Sequence, residues 1–228
     1  DLVRSRGLGD VYKRQEKEQT YPLIEILAPI DAGKTGVAKL VSKRLYGNFI
    51  AFPILDPRTS TGRALLSSLT TNLRELERSP DWWAHVFAAH LYEHRDKIIA
   101  LRSIGPVFVT NYLTAYRVWM RQLGTEVNGF VSGLPRPSLC YNLYGASLPP
   151  TPNSMHLDFA PDFKHRIKRS FAAVAGRNTI RVPVPAFAHD RPYSFYNSIC
   201  ASISSDIALR FSLEHLETEF YKHSDFIG

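Results

Sequence analysis

The chain has 228 residues, 44% of them hydrophobic, and its 28 Lys+Arg against 21 Asp+Glu leave a formal charge of +7. This length fits one domain that buries roughly 70% of its unfolded surface, and the composition excludes a disordered polyelectrolyte while suiting an acidic partner, a phosphate ligand or the mitochondrial matrix. Cys140 and Cys200 lie too far apart in sequence to suggest a disulfide framework or a zinc knuckle, and no apolar run approaches the ~18 residues of a membrane span.

Asp1–Gln15 (DLVRSRGLGDVYKRQ) matches nothing in the rest of the chain and resembles a translated cDNA adapter, so the fold is read from residue 16 onward. Arg4, Arg6, Lys13 and Arg14 outweigh Asp1 and Asp10 in that segment, and a balance of +5 remains without it. The native N-terminus, with any targeting segment, is expected to lie outside this sequence. Tyr21–Ala28 (YPLIEILA) is a short apolar run that predicts a strand, and Ala28–Gly36 (APIDAGKTG) predicts a loop. Val37–Gly47 (VAKLVSKRLYG) predicts a helix with a glycine stop. Asn48–Pro53 (NFIAFP) predicts a second buried strand, and Arg63–Leu76 (RALLSSLTTNLREL) an amphipathic helix. A long helix is expected from Asp81 to about Arg102, opened by Ser79-Pro80-Asp81 and closed by Gly105, with a strand at Pro106–Thr110 (PVFVT). Leu134–Gly145 (LPRPSLCYNLYG) predicts a strand after a proline-rich approach, Ala146–Pro161 a loop, and Asp162–Gly176 (DFKHRIKRSFAAVAG) a helix with a basic face. Thr179–Val184 predicts a strand and Tyr193–Phe211 the last helix. Strands alternating with helices imply a parallel sheet covered on both faces, an α/β three-layer sandwich. Residues 16–228 are expected to form one domain.

The loop APIDAGKTG carries the first chemistry. Its tail, Gly33-Lys34-Thr35, matches the end of a phosphate-binding loop, where backbone N–H groups and a lysine cradle phosphates and a hydroxyl meets Mg²⁺. Its head departs from G-x-x-x-x-G-K-[ST]: Ala28 replaces the first glycine, and Asp31 puts a carboxylate where phosphates lie. The methyl of Ala28 is tolerable if its φ stays negative. A carboxylate ~4 Å from a phosphate costs on the order of 4 kcal/mol at an effective dielectric near 20. A second pattern, His90-Leu91-Tyr92-Glu93-His94, satisfies H-x-x-E-H, in which two histidines one helical turn apart hold zinc.

Four further strings in order resemble the thymidylate kinase family of P-loop nucleoside monophosphate kinases. Phe52–Gly62 (FPILDPRTSTG) is similar to its FP-R-T-G segment with a small insertion before Arg58, and Val86–Glu93 (VFAAHLYE) to its FAANRWE helix. Val109–Tyr112 (VTNY) is similar to its VDRY strand end, and Gly133–Leu139 (GLPRPSL) to its GLP-PDL segment. The resemblance runs from about Tyr21 to Phe211 and implies a P-loop NTPase-type fold with ATP and Mg²⁺ at Lys34 and Thr35, beside Gly33. It also implies an acceptor nucleotide whose phosphate meets Arg58 and whose base stacks on Phe87, although a phenylalanine on an amphipathic helix serves equally as core. Other family positions are changed. The loop aspartate that approaches the acceptor sugar is Ile30, the base-reading arginine is Leu91, the Asp-Arg pair of the third strand is Thr110-Asn111, and the acid of GLP-PD is Ser138. Asp31 stands where some members carry a catalytic arginine, and the lid-equivalent 146–161 contains no Lys or Arg. Lys164, Arg166, Lys168 and Arg169 after the lid either compensate or form a solvated face. The H-x-x-E-H pattern lacks a third ligand and falls on the helix already matched, so no metal site is expected there.

Phosphoryl transfer depends on positive charge around the transferred group, and an arginine finger alone is worth ~10³–10⁵ in rate. With several such charges replaced together, the expectation is a catalytically degenerate protein serving as a structural accessory subunit of a large assembly. By analogy with a nucleoside-kinase-fold subunit of animal respiratory complex I, that assembly is expected to be mitochondrial. Basic charge and the aromatics Trp82, Trp83, Tyr193, Phe195 and Tyr196 suit such an interface, although core is the commoner fate of such rings. The expected partners are protein subunits, not nucleic acid, with any membrane association made through them and a nucleotide, ATP or another, still held. The alternatives are a divergent active dTMP kinase using ATP, and a nucleotide sensor that binds without turnover.

Overall fold

The computed structural model describes residues 20–29, 33–52, 80–125, 129–145, 161–184 and 192–214. Five strands form the sheet: β1 (Leu23–Leu27), β2 (Asn48–Ala51), β3 (Val107–Thr110), β4 (Leu139–Tyr144) and β5 (Thr179–Pro183). Their order is β2-β3-β1-β4-β5, and every pairing is parallel. Six helices are described: α1 (Lys34–Arg44), α2 (Pro80–Glu93), α3 (Arg95–Arg102), α4 (Leu113–Leu123), α5 (Pro161–Ala172) and α6 (Pro192–Phe211). The expected α/β architecture with a central parallel sheet is present. The expected helix 63–76, the adapter-like segment 1–15 and the lid loop 146–160 lie outside the described residues.

Alternation along each strand sends side chains to two separate cores. Ile24, Ile26, Phe108, Tyr141 and Leu143 face α1 and α6, packing with Val37, Val41, Ile199, Cys200 and Ile203. Leu23, Leu27, Val107, Val109 and Cys140 face α2, α4 and α5, packing with Trp83, Leu91, Tyr116, Met120, Ile167 and Phe171. Both cysteines are buried and unpaired, as expected. Burial pushes both thiols up, Cys200 to about 12 and Cys140 further, the latter with help from the neighbouring Glu25 charge.

Three expected elements are corrected. The single long helix to Arg102 is two helices, because the chain leaves the α-helix at His94 (φ −101°, ψ −2°), whose N–H turns back to the Leu91 carbonyl in a tighter i−3 bond. The Phe52 and His94 rings pack nearly perpendicular there, with centroids 4.9 Å apart. The strand expected from Leu134 begins only at Leu139, since Pro135 and Pro137 have no N–H to give a ladder. The helix after the loop ends at Arg44, and the left-handed residue that stops it is Tyr46 (φ 50°). Gly47 is needed for a different reason: a Cβ there would sit 2.6 Å from the Phe108 ring and 2.8 Å from the Pro106 carbonyl oxygen. Helix α4 has no counterpart among the expected elements.

Two polar side chains inside the α4/α5 core join sheet to helices. Glu25, fully buried on central strand β1, accepts the backbone N–H groups of Tyr112 (3.1 Å), Thr114 (3.0 Å) and Ala115 (3.2 Å). These belong to the first turn of α4, which has no acid of its own and no local side-chain cap. Asn142 on β4 does the converse, its amide donating to the carbonyls of Phe171 (2.8 Å) and Val174 (3.2 Å) at the end of α5. Helix ends leave such groups without intrahelical partners, and in a core they must be met by side chains.

Burial raises the Glu25 carboxyl above its ordinary 4.5, and the N–H bonds oppose that shift without cancelling it. The folded state therefore holds this proton more tightly than the unfolded chain. The contribution is complete below pH 4.5 and is lost as pH rises through the raised value. Glu25→Ala, which strands three buried donors, is expected to lower unfolding free energy by about 3 kcal/mol or more in urea titrations. Glu25→Gln is expected to flatten the pH dependence of stability above pH 4.5, where the raised carboxyl titrates.

Candidate functional site

β1 and β3 are neighbours in the sheet, yet α1, which follows β1, and α4, which follows β3, cover opposite faces. Such a switch opens a crevice at the carboxyl ends of the strands, where open α/β sheets place their ligands. The chain sets a different chemistry on each side of it.

On the α1 side, Gly33 occupies the N-cap in the left-handed region (φ 71°, ψ 12°) and no side chain caps the helix. Lys34 and Thr35 are the first two helical residues, Lys34 half-buried and Thr35 exposed, and no acid lies in the first turn. Uncapped N–H groups, the positive end of the helix dipole and a lysine converge here, a set of donors suited to phosphate oxygens. Gly33, Lys34 and Thr35 stand together at this helix start. Ile30, Asp31 and Arg58 lie outside the described residues.

On the other face a pocket is lined by Phe52, Phe87, His90, Leu91, Asn111, Tyr116, Trp119 and Met120. Phe52 follows β2, Asn111 follows β3, and the rest project from α2 and α4. Phe87 and Leu91, one turn apart on α2, both reach it, so the residue matching the family's base-stacking ring sits beside the one replacing its base-reading arginine. The described lining holds no Lys, Arg, Asp or Glu, and polar character comes from His90, Asn111 and the Tyr116 phenol. That phenol is committed to the Ala84 carbonyl at 2.9 Å. Asn111 adopts φ 55°, a left-handed conformation that asparagine accepts more readily than most residues.

Thr110 occupies the position of the strand-end aspartate. It is fully buried at the end of β3, beside Ile26 of β1 in register, and the two-residue period turns it with Phe108 toward the α1 face. Its hydroxyl has no hydrogen-bond partner among the described residues. Glu25 is the sole buried acid among the described residues, and it points to the opposite face with its oxygens engaged by α4. The phosphate-type loop therefore fits a nucleotide tail, whereas strand β3 offers a neutral hydroxyl where a divalent cation would want a carboxylate.

The H-x-x-E-H residues form a packing cluster. His90 is buried with Nδ1 3.5 Å from Glu93 Oε2, and Phe52 meets both imidazoles edge-on. Among the described residues no group of three His, Cys, Asp or Glu side chains is placed to hold a metal ion. Arg166, Lys168 and Arg169 are exposed on α5, as a solvated face requires. Of the aromatics expected at an interface, Trp82 is 49% exposed, but Trp83 and Tyr196 are core residues. The side chains of Tyr193 and Phe195 lie outside the described set.

Sequence reasoning missed the α4 contribution of Tyr116, Trp119 and Met120, and missed Tyr196 at the loop. A Cβ built on Gly33 would lie 2.6 Å from the Tyr196 hydroxyl oxygen. The apolar spacing Leu113, Tyr116, Met120, Leu123 with Gly124 behind it was the available signal for α4. Nothing in the local sequence pointed to Tyr196.

No protein-family model matches the sequence, and no curated protein sequence matches it. Solved structures do. The thymidylate kinase of Candida albicans superposes with a TM-score of 0.62 at 18% identity, covering 89% of this chain and 99% of its own. The thymidylate kinase of Ehrlichia chaffeensis gives 0.54 at 13% identity, covering 81% and 98%. The chain has a thymidylate kinase-like P-loop fold. Identities this low establish the fold alone.

Thr110→Val replaces the buried hydroxyl by a methyl of the same shape. It is expected to raise unfolding free energy by about 1 kcal/mol, read from urea midpoints, and to leave nucleotide affinity unchanged in titration calorimetry.

Proposed function

We propose that this chain is a catalytically degenerate thymidylate kinase-like protein that holds a nucleotide at Gly33, Lys34 and Thr35 and works as a structural accessory subunit of a larger mitochondrial assembly of the respiratory complex I type. The observation that carries the reading is the asymmetry of the crevice. The α1 side retains a left-handed glycine, uncapped N–H groups and a lysine, while β3 ends in the buried neutral Thr110 and the acceptor-side pocket is lined, among the described residues, without a formal charge. Binding of a phosphate tail needs the first set alone. Transfer needs charge on both sides of the moving group. When ATP is bound, Lys34 would meet its phosphates and Thr35 would offer its hydroxyl to Mg²⁺. The base-type pocket could seat a planar ring on Phe87.

The accessory role is supported by the basic balance of the chain and by the half-exposed Trp82 beside buried Trp83, with ring centroids at 4.8 Å. Among the described residues no helix is long and apolar enough to cross a membrane. Attachment to a membrane complex is therefore assigned to partner protein subunits.

Titration calorimetry with Mg-ATP is expected to show saturable binding that weakens about tenfold or more in Lys34→Ala, while coupled assays show no ATP-dependent phosphorylation of dTMP. The wild-type chain is expected to co-migrate with a large mitochondrial complex in native fractionation. Phosphorylation of dTMP that disappears in Lys34→Ala would establish an active kinase instead, and migration only at monomer or dimer mass would remove the accessory role.

A further inference from the structure

We infer that Tyr196 of α6 is a positioning residue for the phosphate-type loop, its ring holding the Gly33 turn in the conformation that presents the first N–H groups of α1. The inference rests on the reading that Gly33–Thr35 takes nucleotide phosphates. It is carried by a contact between two elements far apart in sequence. A Cβ built on Gly33 would fall 2.6 Å from the Tyr196 hydroxyl oxygen and 2.9 Å from ring carbons Cε1 and Cζ. Glycine is required at position 33 twice over, by its left-handed φ of 71° and by the ring lying against it.

The loop ends at the N-cap of α1. Its N-cap receives no side-chain bond, and the backbone bond closing it is the ordinary helical Val37 N–H to the Gly33 carbonyl at 3.1 Å. Ala28 stands in place of the glycine that starts such loops. Tyr196, by contrast, is anchored. It is 7% exposed, and the same helix packs Ile199, Cys200, Ile203 and Ile207 into the core shared with α1. The ring is therefore a fixed wall near the start of α6, and the Gly33 turn rests on it. Orientation of backbone donors decides how well an anion is held at a helix start, because N–H groups that must first be ordered lose part of the gain to entropy.

The test compares Tyr196→Phe, which keeps the ring, with Tyr196→Leu, which removes it, using amide hydrogen exchange on the free protein and Mg-ATP titration. Tyr196→Leu is expected to speed exchange at residues 33–37 while the β1 and α4 amides stay protected, and to weaken Mg-ATP binding about tenfold. Tyr196→Phe is expected to stay within about threefold of wild type. If Tyr196→Leu leaves affinity unchanged, or loosens sheet and loop alike, the residue is ordinary core and the inference is overturned. Gly33→Ala guards against a variant too unstable to interpret. Its loss of protection at residues 34–37 is expected to be smaller in a Tyr196→Leu background than in wild type, and strict additivity would count against the contact. Should wild type bind no nucleotide while the exchange pattern appears as expected, the loop contact stands and the nucleotide reading fails.

Discussion

A carboxylate in the middle of an apolar parallel sheet is tolerated here because three backbone N–H groups at the start of α4 have no partner within their own helix. Glu25 meets them from β1, and those bonds offset only part of the cost of burying its charge. The arrangement ties the strand that leads to the phosphate-type loop to the helix that walls the pocket. With α4 docked by its N-terminus, Tyr116 is placed to bond Ala84 of α2, and Trp119 and Met120 are placed to line the pocket. Asn142 plays the matching part at the end of α5. The helices on this face are thus set by polar contacts to the sheet as well as by apolar packing.

The α1 face is organised differently. There α1 and α6 pack through Val37, Val41, Ile199 and Ile203, the Tyr141 hydroxyl of β4 donates to Asp206 of α6, and Gly33 lies close to the Tyr196 ring. The two halves of the crevice therefore draw on different physics. One is a set of backbone donors whose value depends on orientation. The other is a concave apolar surface whose value depends on shape, with Asn111 and His90 as its polar edges. The proposal of a binding protein that no longer transfers phosphate rests on this difference between the two halves.

Parts of this were legible before any coordinates. β1, β2, β3 and β5 could be read from short apolar runs bounded by turn residues, and α6 from a long run of helix formers. The phosphate-type loop was legible because its chemistry demands particular residues at fixed spacing. The break at His94 was not, because the sequence continues in helical rhythm through it, and the ring that packs on His94 there belongs to Phe52, more than forty residues earlier. Trp83 and Tyr196 suit an interface or a core equally in sequence, because a ring's side of a helix is settled by what the helix packs against. Helix α4 carried a readable apolar period that went unassigned.

By itself, the sequence determined the fold class, the phosphate-type loop and the list of family positions that carry other residues, since each follows from local pattern or residue type. The tertiary structure alone decided that Glu25 caps α4, that Leu91 and Phe87 share a pocket with Asn111 and Trp119, that Thr110 is fully buried, and that Tyr196 lies against Gly33. Each of these joins residues brought together by the crossing of strands and helices. Parallel strands pair only through crossovers, so the contacts that define this site are non-local by construction.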